Sequence, residues 1–198
     1  MSGHISPLSE GVTRTRVVYR NRYGMDIVGE LYRAGTLDLE ERHPALVVGA
    51  PYGGVKEQGP CVYGDELARR GFVVLTFDQS FMGESGGFPR HVSSPDIFVE
   101  NFSAAVDFLG LQPYVDRERI GAIGICGSGG FVLSAAQCDT RIRAVATMSM
   151  YDMSAAARLG MDAGAVQAAK ERLSRQRWAD AERGYPEYIP SFPEQPLD

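Results

Sequence analysis

Cys126 stands where the sequence pattern places a reactive side chain at a sharp turn. The apolar run Ile120 to Ile125 predicts a buried strand before it, and Phe131 to Gln137 predicts a helix after it. The turn between them is rich in glycine: Gly124, Gly127, Gly129 and Gly130. A side chain at the apex of such a turn is presented to a pocket when its neighbours are small. We therefore expect Cys126 to act as a nucleophile, and the amides of the following helix to favour its thiolate form.

The glycine-rich segments also match part of the patterns of nucleotide-binding loops. A G-x-G-x-x-G pattern started at Gly127 ends on Val132 instead of glycine. Gly49 to Gly54 has P-loop spacing, but Val55 and Lys56 follow where Lys and then Ser or Thr are required. A nucleotide site is therefore not expected. The alternative for Cys126 is a small buried residue at a strand–helix junction, which is the usual environment of a free cysteine.

Composition narrows the class of protein. A chain of 198 residues that is 44% hydrophobic can bury one substantial core. A net charge of −5 and the lack of a Lys/Arg-rich run argue against a nucleic-acid partner. The sequence shows neither an apolar stretch of membrane-spanning length nor a signal-peptide core, so no membrane partner is expected.

The number and spacing of the cysteines indicate whether the protein holds a metal or disulfides and which redox compartment suits it. Cys61, Cys126 and Cys138 are widely separated, form no C-x-x-C pair and leave one cysteine over. This arrangement indicates neither a metal site nor a disulfide framework. We expect no cofactor, and a reducing, cytoplasmic setting.

Strands and helices are predicted to alternate along the chain. A hairpin about the turn Asn21 to Gly24 comes first, and the later strands are continuously apolar, which predicts a mostly parallel, doubly wound α/β sheet covered by helices on both faces. The predicted strands are Arg14 to Arg20, Ile27 to Tyr32, Ala45 to Gly49, Phe72 to Phe77, Ile120 to Ile125 and Ile142 to Met148; the predicted helices before Phe131 are Val62 to Arg70 and Pro95 to Leu109. Ligands of such sheets bind beyond the carboxyl ends of the strands, so the loops after Gly49, Phe77, Ile125 and Met148 are expected to converge.

Three of these loops carry a resemblance to a known family. Gly49 to Gln58, Phe77 to Gly87 and Gly124 to Gly130 look like the corresponding loops of α/β-hydrolases of the dienelactone-hydrolase-like group. They agree in order and spacing, and the resemblance covers about residues 12 to 155. In that group a Cys or Ser occupies the elbow, and the matching position here is Cys126.

The resemblance and the elbow together suggest an oxyanion hole. The backbone amide of Gly127 is the first donor by elbow geometry. By resemblance the second donor is the amide of Tyr52, with Gly53 beside it. Ser128 stands where the family usually has glycine and is a second candidate nucleophile, because Cys126 to Gly130 is a distorted G-x-S-x-G. It ranks lower because it falls in the first helical turn.

The base and acid of a catalytic triad are harder to place. In this fold the order along the chain is nucleophile, acid, histidine, but no histidine follows Cys126. His4 is expected in a frayed terminus, and His43 precedes Pro44 at the wrong end of its strand. His91 lies on the active side and is either an improvised base or an ordinary surface histidine, and Asp152 follows the last strand there.

The C-terminal part departs from the family pattern. We expect an α/β-hydrolase core over residues 1–153, then a partial helical cap and a Pro-rich tail over residues 154–198. The resemblance implies two further strands carrying the acid and the histidine, so the core is expected to be truncated after its sixth strand. Its open edge would need a homo-oligomer or a complementing polypeptide to cover it.

The expected function is hydrolysis of a small ester, lactone or thioester, as in carboxylic-ester hydrolases, through a covalent acyl-cysteine. The alternative is a degenerate hydrolase fragment or subunit that serves ligand binding or assembly. Among the remaining polar loop residues, Lys56 and Glu57 are expected to be solvated. Asp78, Glu84 and Ser85 are expected to bond the backbone of their own turn.

Overall fold

The computed structural model describes residues 3–188. Its backbone divides into two compact units, Met1–Met153 and Ser154–Asp198. The expected Pro-rich tail lies largely outside the described residues, since residues 189–198 are not among them.

The first unit is built on one six-stranded sheet. The strand order is β1-β2-β4-β3-β5-β6, with β1–β2 and β2–β4 antiparallel and the other pairs parallel. The strands are β1 Val12–Arg20, β2 Asp26–Ala34, β3 His43–Gly49, β4 Val73–Phe77, β5 Val115–Ile125 and β6 Ala144–Met148. The predicted N-terminal hairpin and mostly parallel α/β sheet are therefore confirmed.

Helices cover both faces of this sheet, as expected. The helices of the described residues are α1 Gly59–Ala68, α2 Pro95–Gly110, α3 Ser128–Cys138, α4 Met153–Ala157 and α5 Ala163–Arg183. On one face, Cys61 and Ala68 of α1 pack with Val48 and Val74. On the other face, α2 and α3 contribute to a larger core that includes Val47 and Leu75.

Alternation along the strands explains the two-faced core. Val47 and Val48 are neighbours in β3 and are both fully buried, yet they belong to the two different cores, because successive strand side chains point to opposite faces. A strand buried on both sides must be apolar throughout, which is the pattern that the sequence shows. The parallel strands β3, β4 and β5 end together, at the edge where the predicted site loops begin.

The second unit contains the helix α5. Its first turn is capped by the Asp162 side chain, which accepts a hydrogen bond from the Ala165 amide at 2.8 Å. It ends at Gly184 in the left-handed conformation, with φ +79°. The helical character expected between residues 154 and 183 is thus observed.

Candidate active site

Cys126 forms the turn between β5 and α3, and it has a left-handed backbone conformation with φ +53°. Non-glycine residues adopt this conformation rarely, so surrounding contacts must hold it in place. The Cys126 amide donates to Met148 O at 2.9 Å, and its carbonyl accepts from the amides of Gly129 at 3.0 Å and Tyr151 at 3.2 Å. The half-buried thiol is therefore carried on a backbone fixed at both sides.

Three of the four glycines around Cys126, Gly124, Gly127 and Gly129, are required by close approach of other groups. A Cβ atom on Gly124 would lie 2.3 Å from Ser128 O, and one on Gly129 would lie 2.7 Å from Met150 Cγ. Real Cβ atoms do not approach other atoms this closely, so larger residues at these positions would displace the turn. The small neighbours that the sequence pattern predicted thus serve the geometry of the elbow.

Ser128 lies in the first turn of α3 and its side chain is 1% exposed. Its hydroxyl donates to the carbonyl oxygen of Ala50, at the end of β3. A hydroxyl that is buried and already hydrogen-bonded to the backbone has a structural role.

The loop after β3 brings a second backbone amide to the elbow. Pro51 to Gly54 form a tight turn in which the Gly54 amide donates to Pro51 O at 2.8 Å, with φ +75° at Gly53. This turn places Tyr52 beside Gly127, since a Cβ atom on Gly127 would lie 3.5 Å from Tyr52 N. Within residues 3–188 the amides of Tyr52 and Gly127 donate to no other protein group. Two neighbouring amides without protein acceptors can bind an anionic oxygen.

Lys56 lies in the same loop. It is expected to be solvated, but it is buried, with 1% exposure. Its ammonium donates to Asp78 Oδ2 at 2.9 Å and to Glu57 Oε1 at 2.5 Å, and lies 2.7 Å from Glu84 Oε2. Burial acts to lower the pKa of Lys56, but the hydrogen bonds to Glu57, Glu84 and Asp78 overcome it and raise the pKa above its ordinary value. Lys56 is thus a buried cation, and its position in a polar surface loop gave no sign of this.

The expected backbone role in the acidic turn is observed for Asp78 and Ser85 but not for Glu84, whose carboxylate pairs with Lys56 and Arg16. Asp78 Oδ2 accepts from the Glu84 amide at 2.9 Å, and Ser85 Oγ donates to Asp78 O at 2.7 Å. The carboxylates of Glu57, Asp78 and Glu84 lie within 4.8 Å of one another, a spacing suited to a cation. The Lys56 ammonium bonds to all three, so it already supplies the positive charge.

None of the three histidine side chains is hydrogen-bonded to Cys126 in the described part of the chain. His4 is expected in a frayed terminus, but its Nε2 lies 2.8 Å from Glu30 Oε1. His43 Nε2 bonds to Asp38 O at 2.6 Å. His91 is exposed in a left-handed conformation with φ +59°, and its amide donates to Phe81 O. Asp152 follows β6 and is also exposed.

The sheet order, the elbow and the converging loops define an α/β-hydrolase fold. Residues 97–189 match the family described as BAAT / Acyl-CoA thioester hydrolase C terminal. The chain is 48% identical over 196 residues to the uncharacterized protein PA2218 of Pseudomonas aeruginosa. That match covers 95% of this chain and 52% of that protein. It is 34% identical over 137 residues to the thiohydrolase aneE of Aspergillus aculeatus, covering 69% of this chain and 42% of that protein.

Solved structures support the same fold. The crystal structure of PA2218 matches with a TM-score of 0.90 and 47% identity, over 94% of this chain and 59% of that one. The α/β hydrolase GrgF from Penicillium sp. sh18 matches with a TM-score of 0.76 and 23% identity, over 92% and 60%. A dienelactone hydrolase-like promiscuous phosphotriesterase from metagenomic libraries matches with a TM-score of 0.60 and 20% identity, over 84% of this chain and 78% of that one.

The chain therefore spans about half the length of the curated relatives it matches. None of the helices within residues 3–188 is both long and apolar enough to cross a membrane.

Proposed function

We propose that this chain carries the acyl-transfer half of a hydrolase site, with Cys126 as nucleophile and the amides of Gly127 and Tyr52 as the oxyanion hole. The observation that carries the proposal is the left-handed Cys126, with φ +53°, beside two amides that have no protein acceptor among residues 3–188. Strained backbone at a strand-to-helix turn is typical of nucleophile elbows.

The first step forms an acyl-cysteine. The Cys126 sulfur attacks the acyl carbonyl carbon, a carbon–sulfur bond forms and the carbonyl π electrons move to oxygen. Gly127 and Tyr52 donate hydrogen bonds to that oxyanion. When the carbonyl re-forms, the bond to the leaving group breaks, and the leaving thiol or alcohol takes the proton lost by Cys126.

The second step is hydrolysis of the acyl-cysteine. Water adds to the acyl carbon, the carboxylic acid is released, and the proton from water returns to the Cys126 sulfur. This step requires a base to activate the water. We propose that the base is supplied from outside residues 3–188, because the three histidines of this chain hold no hydrogen bond to Cys126 there.

We propose a thioester as the preferred substrate class, with oxygen esters and lactones as slower substrates. The matched family is described by acyl-CoA thioester hydrolysis, and aneE is named a thiohydrolase. A thiolate leaving group also departs without prior protonation more readily than an alkoxide, because it is the weaker base. An acylation site in which, within residues 3–188, no histidine is hydrogen-bonded to Cys126 therefore suits thioesters best.

The test is intact-mass analysis after exposure to the N-acetylcysteamine thioester of butyric acid. We expect one butyryl group on Cys126, its loss in Cys126→Ala, and its retention in Cys138→Ala, which removes an exposed cysteine. Cys61 is buried, and burial raises the pKa of its thiol, so it should not react. A fluorophosphonate adduct on Ser128 would show that the nucleophile is wrongly assigned. Iodoacetamide labelling of Cys126 no faster than that of Cys138 would contradict an activated thiol.

The exposed edge of the sheet favours a second candidate function, assembly. β6 is the last strand in the sheet order, and Ala144, Val145, Ala146 and Met148 are exposed. Such an edge is a template for pairing with another strand. Under this candidate the chain sediments as a dimer that Val145→Lys dissociates, while Leu133→Lys, a matched change on an exposed helix residue, leaves it intact. A monomer with an acylated Cys126 would favour the hydrolase instead.

A further inference from the structure

Lys56 is buried although the loop that contains it crosses the surface. This loop connects β3 to α1 and includes Tyr52, which is 41% exposed. Lysine is almost never buried unless it is paired, because removing its charge from water is costly. A buried lysine so close to a proposed oxyanion donor therefore needs a physical explanation.

Main chain and side chain of Lys56 bind the same carboxylate. The Lys56 amide donates to Asp78 Oδ1 at 2.8 Å, and its ammonium donates to Asp78 Oδ2 at 2.9 Å. An ion pair alone would constrain only the end of a flexible side chain. The added backbone bond fixes the path of the loop itself relative to the end of β4.

Asp78 is itself held from several sides, so it can act as a fixed point. It is fully buried, its amide donates to Val28 O at 3.0 Å, and its carbonyl accepts from Ser85 Oγ. The residue that passes over its carboxylate must be small, because a Cβ atom on Gly83 would lie 2.3 Å from Asp78 Oδ2. The anchor for the loop is therefore part of the sheet framework.

A second anchor lies on the other side of Tyr52. The carbonyl of Ala50 accepts the hydrogen bond from Ser128 Oγ, in the first turn of α3. The Tyr52 turn is thus held between a bond to the elbow helix and the Lys56–Asp78 pair. Fixing both ends of a short loop leaves its amides little freedom to turn away from the elbow.

We infer that Lys56 is a positioning residue, which through Asp78 holds the Tyr52 amide where the oxyanion forms. The inference rests on the proposed function, in which that amide is an oxyanion donor. Lys56 does not touch the substrate: it acts through the geometry of its loop. Loss of the Lys56 side chain should therefore slow a reaction of Cys126 that forms an oxyanion and leave the rate of one without an oxyanion unchanged.

The test compares two reactions of the same thiol. In Lys56→Met, acylation of Cys126 by the butyryl thioester should fall about 10- to 100-fold, somewhat less than the loss of a whole oxyanion donor. Alkylation by iodoacetamide, which forms no oxyanion, should change by less than about twofold, since the thiol itself is untouched. Lys56→Arg keeps the charge and the donors, and should recover part of the acylation rate.

The control is Arg16→Met. Arg16 forms an outer ion pair with Glu84, 3.3 Å from Oε1, and among the described residues it forms no ion pair with Asp78. This variant should acylate at the wild-type rate. Equal loss in Arg16→Met and Lys56→Met, or wild-type acylation in Lys56→Met, would overturn the inference.

Failure of the proposed function is distinguishable from failure of this inference. If the wild type is never acylated, the proposed function fails, and amide hydrogen exchange of the peptide containing Tyr52 still tests Lys56. Faster exchange in Lys56→Met supports the anchoring role, and unchanged exchange overturns it. If Lys56→Met does not fold, Glu84→Ala removes one acceptor of the ammonium from a half-exposed position. Faster exchange is expected there too, and unchanged exchange would again overturn the inference.

Discussion

The backbone of Tyr52 packs directly on Gly127. A Cβ atom on Gly127 would lie 2.8 Å from Tyr52 Cβ and 3.5 Å from Tyr52 N. The two residues belong to loops that follow different strands, β3 and β5, which pair in parallel and end side by side. The absence of a side chain at position 127 is what lets Tyr52 lie this close to the elbow.

Gly127→Ala should separate the two amides. The added methyl group meets Tyr52 Cβ, so the loop must shift, and we expect acylation of Cys126 to fall about 10- to 100-fold as an oxyanion donor is displaced. The matched control is Gly130→Ala in the same segment, where a Cβ atom would meet nothing within 4 Å. That helical substitution should keep the acylation rate, and equal rates in the two variants would contradict the assigned donors.

Ser128→Ala should separate structure from chemistry at the elbow. It leaves the Ala50 carbonyl without its hydroxyl donor, which should lower the free energy of unfolding by about 1–3 kcal/mol. Urea denaturation measures this loss. Cys126 should still be acylated, with a rate lowered only as far as the loop moves. Complete loss of acylation in a folded Ser128→Ala would instead identify Ser128 as the nucleophile.

Glu84 should give the acidic loop a defined pH dependence. Hydrogen bonds from Lys56 and then Arg16 hold the pKa of its carboxyl below the ordinary value. A lowered folded-state pKa adds stability above the unfolded-state pKa, near 4.5, which is lost as the pH falls through the folded value. Because Glu84 is half exposed, the contribution should stay below about 1 kcal/mol.

The measurement for Glu84 is urea unfolding of wild type and Glu84→Gln between about pH 6.5 and about pH 3. The difference in free energy of unfolding should be largest near neutral pH and shrink toward the acidic end. A difference that stays constant over this range would show that the carboxylate charge contributes nothing.

His91→Gly should leave acylation within about twofold, since the His91 ring is exposed and acylation of a thioester needs no added base. The same change should raise the free energy of unfolding by up to about 1 kcal/mol, because glycine adopts φ +59° without strain. The acylation rate of His91→Gly checks the first expectation, and its thermal unfolding checks the expected gain in stability. A tenfold slower variant with an altered pH profile would instead make His91 the base.

The elbow was predictable because its information is local. Cys126 and its neighbouring glycines form a short run between an apolar strand and a helix. A Cβ atom on Gly124, Gly127 or Gly129 would meet a group within that unit or beside it, whereas one on Gly130 would meet nothing within 4 Å. The strand alternation of Val47 and Val48 likewise follows from local periodicity. The pairing of Tyr52 with Gly127 needed the family resemblance, because nothing near Tyr52 in the sequence indicates its partner.

Lys56 and His4 show what local patterns miss. Charged residues in polar loops and near termini are usually solvated, and both residues have that context. Lys56 is buried and His4 half-buried because they bond to Asp78, which follows β4, and to Glu30 in β2. These partners are identified only once the sheet is assembled. A buried ion pair such as Lys56–Asp78 joins residues that are distant in the sequence, so it produces no periodic pattern in a single sequence.

Under the proposed function, the two anchors of the Tyr52 loop bear on how acyl-chain preference can change. A loop fastened to both Ser128 and Asp78 cannot adapt to substrates of different shape, so adaptation falls to the chain after β6. Met150 packs on Gly129 and Met153 lies beside Gly127, and both have the flexible, polarizable side chain that tolerates varied apolar groups. Selectivity could therefore drift by exchange of these methionines while the chemistry stays constant.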